Sequence, residues 1–185
     1  AGALVVLDAK TGEILAAANQ PSFNPNSKAE LKESTYRNRA FTEVFEPGST
    51  VKPFTVAAAL EGRYIRPGDY FNTDGVFPVG NHTVRDTHHY GILNVEGVIK
   101  KSSNIGVTKM ALKMPTEYFW GMFNKMGFGE SPATGFPGET DGRMPVKKRM
   151  RDFDKAILSF GYGLNVSALQ LARAYTALAD DGILH

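Results

Sequence analysis

Two prolines fix the backbone around Ser49-Thr50-Val51-Lys52: Pro47, followed by Gly48, stands before it, and Pro53 directly after. Proline lacks an N–H and locks φ, so in a helix it is tolerated only in the first turn. Pro53 therefore starts a helix near Lys52, and the Pro47-Gly48 break stops anything earlier from running into it. From Thr50 to Leu60 the residues are mostly apolar, with Val51, Phe54, Val56 and the run Ala57-Ala58-Ala59-Leu60. Such a helix is buried, and its one cation, Lys52, is expected to face a cleft. Ser49 then lies at the helix entrance, three residues before the lysine and on the same face. Backbone N–H groups at that entrance are free to bind an anion. A desolvated amine sheds its proton readily and can take one from a neighbouring hydroxyl. A bare S-x-x-K arises by accident about once in a chain of this length, as a capping serine beside a solvated lysine. The flanking prolines favour the chemical reading over that one.

Composition narrows the field. The 185 residues suit one domain or a large piece of one, and the 42% hydrophobic content supports a real core. A formal charge of +2 gives no reason to expect nucleic acid. Without cysteine there is neither a disulfide nor a thiol nucleophile. No apolar run approaches the length of a membrane span. Ala1-Gly2 leads straight into an apolar segment, which reads as a cut edge.

Ala3-Leu4-Val5-Val6-Leu7, the turn Asp8 to Gly12, and Glu13-Ile14-Leu15-Ala16-Ala17-Ala18 predict a hairpin. A loop follows from Asn19 to Asn26, then a polar stretch to Arg39. The Gly, Pro and Asp content of Gly62 to Gly80 predicts irregular chain or short strands. Helices are expected over Leu93–Lys100, Ile105–Met114 and Thr116–Met126, with 135–149 again loop-like. Ser167-x-x-Gln170 is a capping box opening a last helix that Gly182 ends. The balance predicts an α+β or layered α/β domain, with one hairpin too short to stand alone.

A second group of polar residues is Ser102-Ser103-Asn104. It can deliver another hydroxyl and a carboxamide to the same cleft: Ser102 to relay a proton, Asn104 to hold the lysine and a substrate carbonyl. Alone, such a string is most often a cap or turn. Ser22-Phe23-Asn24 has the same pattern but falls between prolines and is assigned to a loop. Adjacent histidines seldom face one ion, so Asp86-Thr87-His88-His89-Tyr90 is read as a cleft-side loop that touches substrate rather than a metal site. Lys147-Lys148-Arg149-Met150-Arg151 is read as solvated surface. Tyr118, Phe119, Trp120 and Phe123 are read as core, and Gly161-Tyr162-Gly163 as a tight turn.

With S-x-x-K at 49–52 and S-x-N at 102–104, the chain resembles the penicillin-binding proteins and serine β-lactamases. It is most similar to the transpeptidase domain of class B penicillin-binding proteins, of the septal penicillin-binding protein 3 type in Gram-negative bacteria. The resemblance runs in register along essentially the whole chain. It includes Leu7 to Ala16, Asn38-Arg39-Ala40, Phe45 to Pro53, Lys101 to Gly106, Ser159 to Leu164 and Leu169 to Tyr175. One departure matters. Lys10-Thr11-Gly12 spells the family's third motif but lies upstream, in the predicted hairpin turn, and is read as a decoy. The functional third motif and remaining strands are then expected after His185, making residues 1–185 the N-terminal portion of one transpeptidase domain.

What the resemblance implies is acyl transfer on peptidoglycan stem peptides, with β-lactams as covalent inhibitors and neither metal nor organic cofactor. Ser49 is the implied nucleophile and Lys52 its base. Ser102 carries a proton to the leaving group, and Asn104 orients the lysine and the donor peptide. Ser103 and Tyr90 are expected to touch substrate. The implied setting is septal, on the periplasmic side of the inner membrane, anchored by an N-terminal helix outside this chain. The implied partners are other cell-division and glycan-polymerising membrane proteins. A serine β-lactamase, a D,D-carboxypeptidase and a non-catalytic β-lactam sensor remain alternatives at this level.

Overall fold

A computed structural model describes residues 1–27 and 33–185, so residues 28–32 of the expected polar stretch lie outside the described residues. The elements in chain order are β1 (Gly2–Leu7), β2 (Ile14–Gln20), α1 (Glu33–Tyr36), α2 (Arg39–Thr42), α3 (Lys52–Glu61), β3 (Tyr70–Asn72), β4 (Val76–Val79), β5 (His82–Arg85), β6 (Ile92–Asn94), α4 (Val95–Lys100), α5 (Asn104–Lys113), α6 (Thr116–Lys125), α7 (Asp152–Ser159) and α8 (Ala168–Ala179). The mixture is the expected α+β, with three antiparallel strand pairs among the described residues, β1–β2, β3–β6 and β4–β5. The chain forms two compact units: Ala1–Phe45 with Asn124–Arg143 and Asn165–His185, and Glu46–Phe123 with Met144–Leu164.

In the first unit the predicted hairpin forms, pairing Gly2 with Gln20 and Val6 with Ala16 before an irregularity at Leu7. Its turn is held by Asp8, whose Oδ1 accepts the N–H groups of Lys10 and Thr11, both at 2.9 Å. Those hydrogen bonds hold the Asp8 carboxyl below its ordinary pKa. Lys10-Thr11-Gly12 is thus a turn, with Gly12 at φ +74° closing it. Strand alternation sends Val5, Leu7 and Ile14 against Ala40, Phe41 and Leu169, while Leu4 and Leu15 stay exposed. The Ser167 capping box forms as read: its hydroxyl accepts from Gln170 N and the Gln170 side chain accepts from Ser167 N. Ser22-Phe23-Asn24 is loop, where Asn24 Oδ1 takes the Asn26 N–H at 3.0 Å.

In the second unit α3 is the buried helix the prolines predicted, with Phe54, Ala58 and Ala59 inaccessible to solvent. A core of Val79, Val84, Ile105 and Ala156 joins the β4–β5 hairpin to α5 and α7. Phe119 and Phe123 are fully buried and meet edge to face, and the Trp120 indole donates to Pro145 O at 2.9 Å. The helix expected over Leu93–Lys100 begins later. Its first residues form β6, and Asn94 caps α4 by accepting the Gly97 N–H at 2.8 Å. Helix α7 was not expected, because its N-cap is Arg151 rather than a small polar residue. The signal was present in Phe153, Ala156, Ile157 and Phe160, spaced three and four apart. Lys147 departs from the solvated reading: it is half-buried over the Trp120 ring and pairs with Glu117 at 2.8 Å.

Candidate active site

Ser49 lies in a 3-10 turn, Gly48–Val51, that runs directly into α3, with the Lys52 N–H donating to the Ser49 carbonyl. In a 3-10 turn side chains at i and i+3 stand one above the other, so Ser49 and Lys52 share a face. Their environments differ. Ser49 is exposed, whereas Lys52 is only 2% exposed.

The turn is held from one direction. Gly48, at φ +57°, donates its N–H to Gly161 O at 3.1 Å, and Gly163 N–H donates to Glu46 Oε1 at 3.0 Å. Thr55, on α3, donates its hydroxyl to Ser159 O at 2.9 Å. The expected turn at Gly161-Tyr162-Gly163 is therefore the clamp behind the serine segment. Gly161 is needed there: a Cβ on it would come within 2.0 Å of Gly48 O.

The Lys52 amine donates to Ser102 O at 2.5 Å and to Ser102 Oγ at 2.9 Å. Burial pulls its pKa down from 10.5 to about 8, and the negative charge of Asp86 partly offsets that fall. Ser102 adopts φ +55°, a left-handed conformation that serine rarely takes, in the turn between α4 and α5. Its hydroxyl and carbonyl thus reach the amine from an exposed residue.

Asn104 and Ser103 depart from the expected geometry. The Asn104 carboxamide donates from Nδ2 to Arg85 O at 3.0 Å, and among the described residues no hydrogen bond joins it to Lys52. Ser103, expected on substrate, is fully buried and caps α5, accepting the Gly106 N–H at 2.9 Å. Its hydroxyl donates to Asp86 Oδ2 at 2.5 Å, so both its hydrogen-bonding directions are used inside the protein. In this structure the Ser103 side chain is enclosed by the protein instead of lying open to a substrate. Tyr90 is half-buried, with its hydroxyl 3.4 Å from Thr87 Oγ1 and its ring edge-on to His88.

Asp86 was missed as a site residue, since it was read only as the first residue of a cleft-side loop. Asp86 directly follows β5, and its role becomes visible only once that strand lies beside the start of α5.

The profile of the family described as "Penicillin binding protein transpeptidase domain" matches residues 2–185. The "Probable peptidoglycan D,D-transpeptidase PenA" of Neisseria flavescens is 46% identical over 184 residues, covering 100% of this chain and 46% of that protein. The "Peptidoglycan D,D-transpeptidase FtsI" of Escherichia coli is 43% identical over 182 residues, 98% of this chain and 31% of that protein. Among solved structures, the apo TP domain of Burkholderia pseudomallei penicillin-binding protein 3 superposes with a TM-score of 0.88 at 44% identity, covering 98% of this chain and 51% of that one. The chain therefore spans less than half the length of the curated relatives it matches. With a match along nearly its whole length and a buried lysine one turn after an exposed serine, this chain belongs to the penicillin binding protein transpeptidase domain family.

Proposed function

We propose that this chain is the N-terminal portion of a peptidoglycan D,D-transpeptidase domain that crosslinks stem peptides through a serine acyl-enzyme on Ser49. The observation that carries the reading is the buried Lys52 amine, hydrogen-bonded to both oxygens of Ser102 and one turn beyond an exposed hydroxyl. A neutral amine has two N–H donors and one lone pair. Ser102 O and Oγ take the two donors, leaving the lone pair for the Ser49 proton. With a pKa near 8, a usable fraction of the amine is neutral at physiological pH.

Ser49 Oγ attacks the carbonyl carbon between the two terminal D-alanines, and its proton passes to Lys52 Nζ. The resulting oxyanion is held by backbone N–H groups, the Ser49 N–H among them, each worth a few kcal/mol. The C–N bond then breaks. The proton reaches the departing D-alanine amine through the Ser102 hydroxyl, and the peptide remains as an ester on Ser49. An amine from a neighbouring stem peptide attacks that ester, forms the crosslink and returns the serine hydroxyl. Asn104, held by the Arg85 carbonyl, presents its carboxamide oxygen to the donor peptide, and Tyr90 contacts the same peptide.

The relatives named as PenA and FtsI support a role in septal wall synthesis, and the same likeness supports β-lactams as inhibitors that occupy Ser49. It also supports placement on the periplasmic side of the inner membrane, anchored by a helix outside this chain, beside cell-division and glycan-polymerising membrane proteins. Among the described residues no helix is long and apolar enough to cross a membrane. The third motif and the strand bearing it belong, on this reading, to residues following 185.

Incubation of the full-length protein with a fluorescent penicillin tests the proposal. A persistent covalent adduct that Ser49→Ala abolishes is expected. Labelling that survives Ser49→Ala at the normal rate refutes it, and rapid hydrolytic turnover of the penicillin assigns a β-lactamase instead.

A further inference from the structure

Arg85, the last residue of β5, and Asp86 after it hold two consecutive residues of the second motif. Arg85 O accepts from Asn104 Nδ2 at 3.0 Å. Asp86 accepts the Ser103 hydroxyl on Oδ2 at 2.5 Å and the Ile105 N–H on Oδ1 at 3.0 Å. The Ile105 N–H is one of the donors that a helix start leaves without a partner. Hydrogen bonds to a carboxylate are shorter and stronger than those between neutral groups. Because Ser103 donates to Asp86, its lone pair is left to accept the Gly106 N–H, and its rotamer has no freedom.

Ser102 is covalently next in line. Its left-handed backbone persists only if its neighbours over-determine it. Ser103 supplies that constraint, with its N–H on Val98 O at 2.9 Å and its hydroxyl on Asp86. Ser102 then places its carbonyl and hydroxyl against the Lys52 amine.

We infer that Arg85-Asp86 is the template that seats the second motif, and that Asp86 is a positioning residue which acts through Ser103 and Ser102 on Lys52. The inference deepens the acyl-transfer reading above and rests on it.

Asp86 also acts by charge. Of the charged groups on elements packed around Lys52, Lys109 and Lys113 of α5 lie over Phe77 and Phe71, and Glu46 accepts from Gly163. Glu61 is at the far end of α3, and Glu96 and Lys100 of α4 are exposed. Asp86 is the one whose charge reaches the amine, and it favours the ammonium.

The test is the second-order rate of labelling by a fluorescent penicillin, measured from about pH 6 to pH 10 on the full-length protein. In Asp86→Asn the alkaline plateau should fall by about tenfold or more, because the amide cannot accept from both Ser103 and Ile105. The acid limb should move to lower pH, since removing the carboxylate eases loss of the lysine proton. Ser103→Ala keeps the charge, so its plateau should fall while its limb stays. The double variant should be no slower than the slower single, as expected of residues acting in one chain of contacts. A wild-type plateau and limb in Asp86→Asn would overturn the inference. So would a loss confined to melting temperature and labelled fraction, with rate and limb intact. If Asp86→Asn does not fold, Asp86→Glu serves: a lowered plateau with an unmoved limb supports the inference, and a wild-type plateau overturns it. Ser49→Ala, run in parallel, reports on the acyl-transfer reading separately, since surviving label there sinks that reading whatever Asp86 does.

Discussion

Ser102-Ser103-Asn104 and Ser22-Phe23-Asn24 share the same outer letters and have little else in common. In the second unit the string bridges two helices. Ser102 is held left-handed against a buried amine, and Asn104 is tied to Arg85. In the first unit Asn24 spends its side-chain oxygen on the Asn26 N–H two residues on, as an asparagine in a loop commonly does. The chemistry of the first string comes from partners distant in sequence, Lys52, Asp86 and Arg85, whereas the Asn24 hydrogen bond is local. The same holds for two of the lysines near a hydroxyl: Lys52 is buried one turn past Ser49, while Lys10 is exposed beside Thr11 in a hairpin turn.

The largest effect that would break this contrast concerns the clamp behind Ser49. Gly161→Ala places a Cβ within 2.0 Å of Gly48 O at φ +90°, so a destabilisation above about 3 kcal/mol is expected by thermal or denaturant unfolding. A near-wild-type melting temperature would mean that the serine turn and the 161 turn are not locked together.

Next in size, Ser102→Ala should slow penicillin labelling by about a hundredfold through loss of the proton relay. Ser22→Ala, its counterpart in the look-alike string, should label at the normal rate. Equal rates in the two variants would erase the distinction drawn between the strings.

The pH dependence sharpens it further. Labelling by the unaltered protein should rise about tenfold from pH 7 to a plateau above the Lys52 pKa of about 8, as the neutral amine accumulates. A flat profile over that range would remove Lys52 as the base.

The smallest effect is on stability and has the opposite sign. Below pH 8 the folded protein holds a buried ammonium whose pKa has been lowered from 10.5 to about 8. Between those values the unfolded chain binds more protons than the folded one, so folding stability rises with pH. Lys52→Met should therefore abolish labelling yet gain about 1 kcal/mol near neutral pH, after discounting for partial solvent screening. The gain should shrink as pH climbs past 8. A loss of stability at neutral pH would show that the two hydrogen bonds to Ser102 outweigh the cost of burial.

The serine turn was readable because its causes are local: Pro47-Gly48 and Pro53 constrain the backbone where they stand, and the apolar run after them has one way to be buried. The Ser167 capping box and the Asp8 turn were readable for the same reason, since each is closed by atoms within three residues. Helix α7 was missed because an arginine occupies the position where a capping side chain is sought. Of the β4–β5 hairpin only β4 falls within the stretch expected to hold short strands; β5 lies beyond it, a four-residue arm that carries little periodicity.

By itself the sequence determined the helix start and the spacing of Ser49 and Lys52, which follow from interactions within a turn or two of chain, and it carried the strand pattern of the hairpin and the family likeness. Only the tertiary structure decided that Ser103 faces inward, that Asn104 is held by Arg85, and that Asp86 closes the start of α5. Those outcomes depend on β5 being brought to residues 17 and 19 positions further along. Hydrogen bonds of that span form only after burial has set which surfaces meet, and burial is a property of the assembled core rather than of any local string of letters.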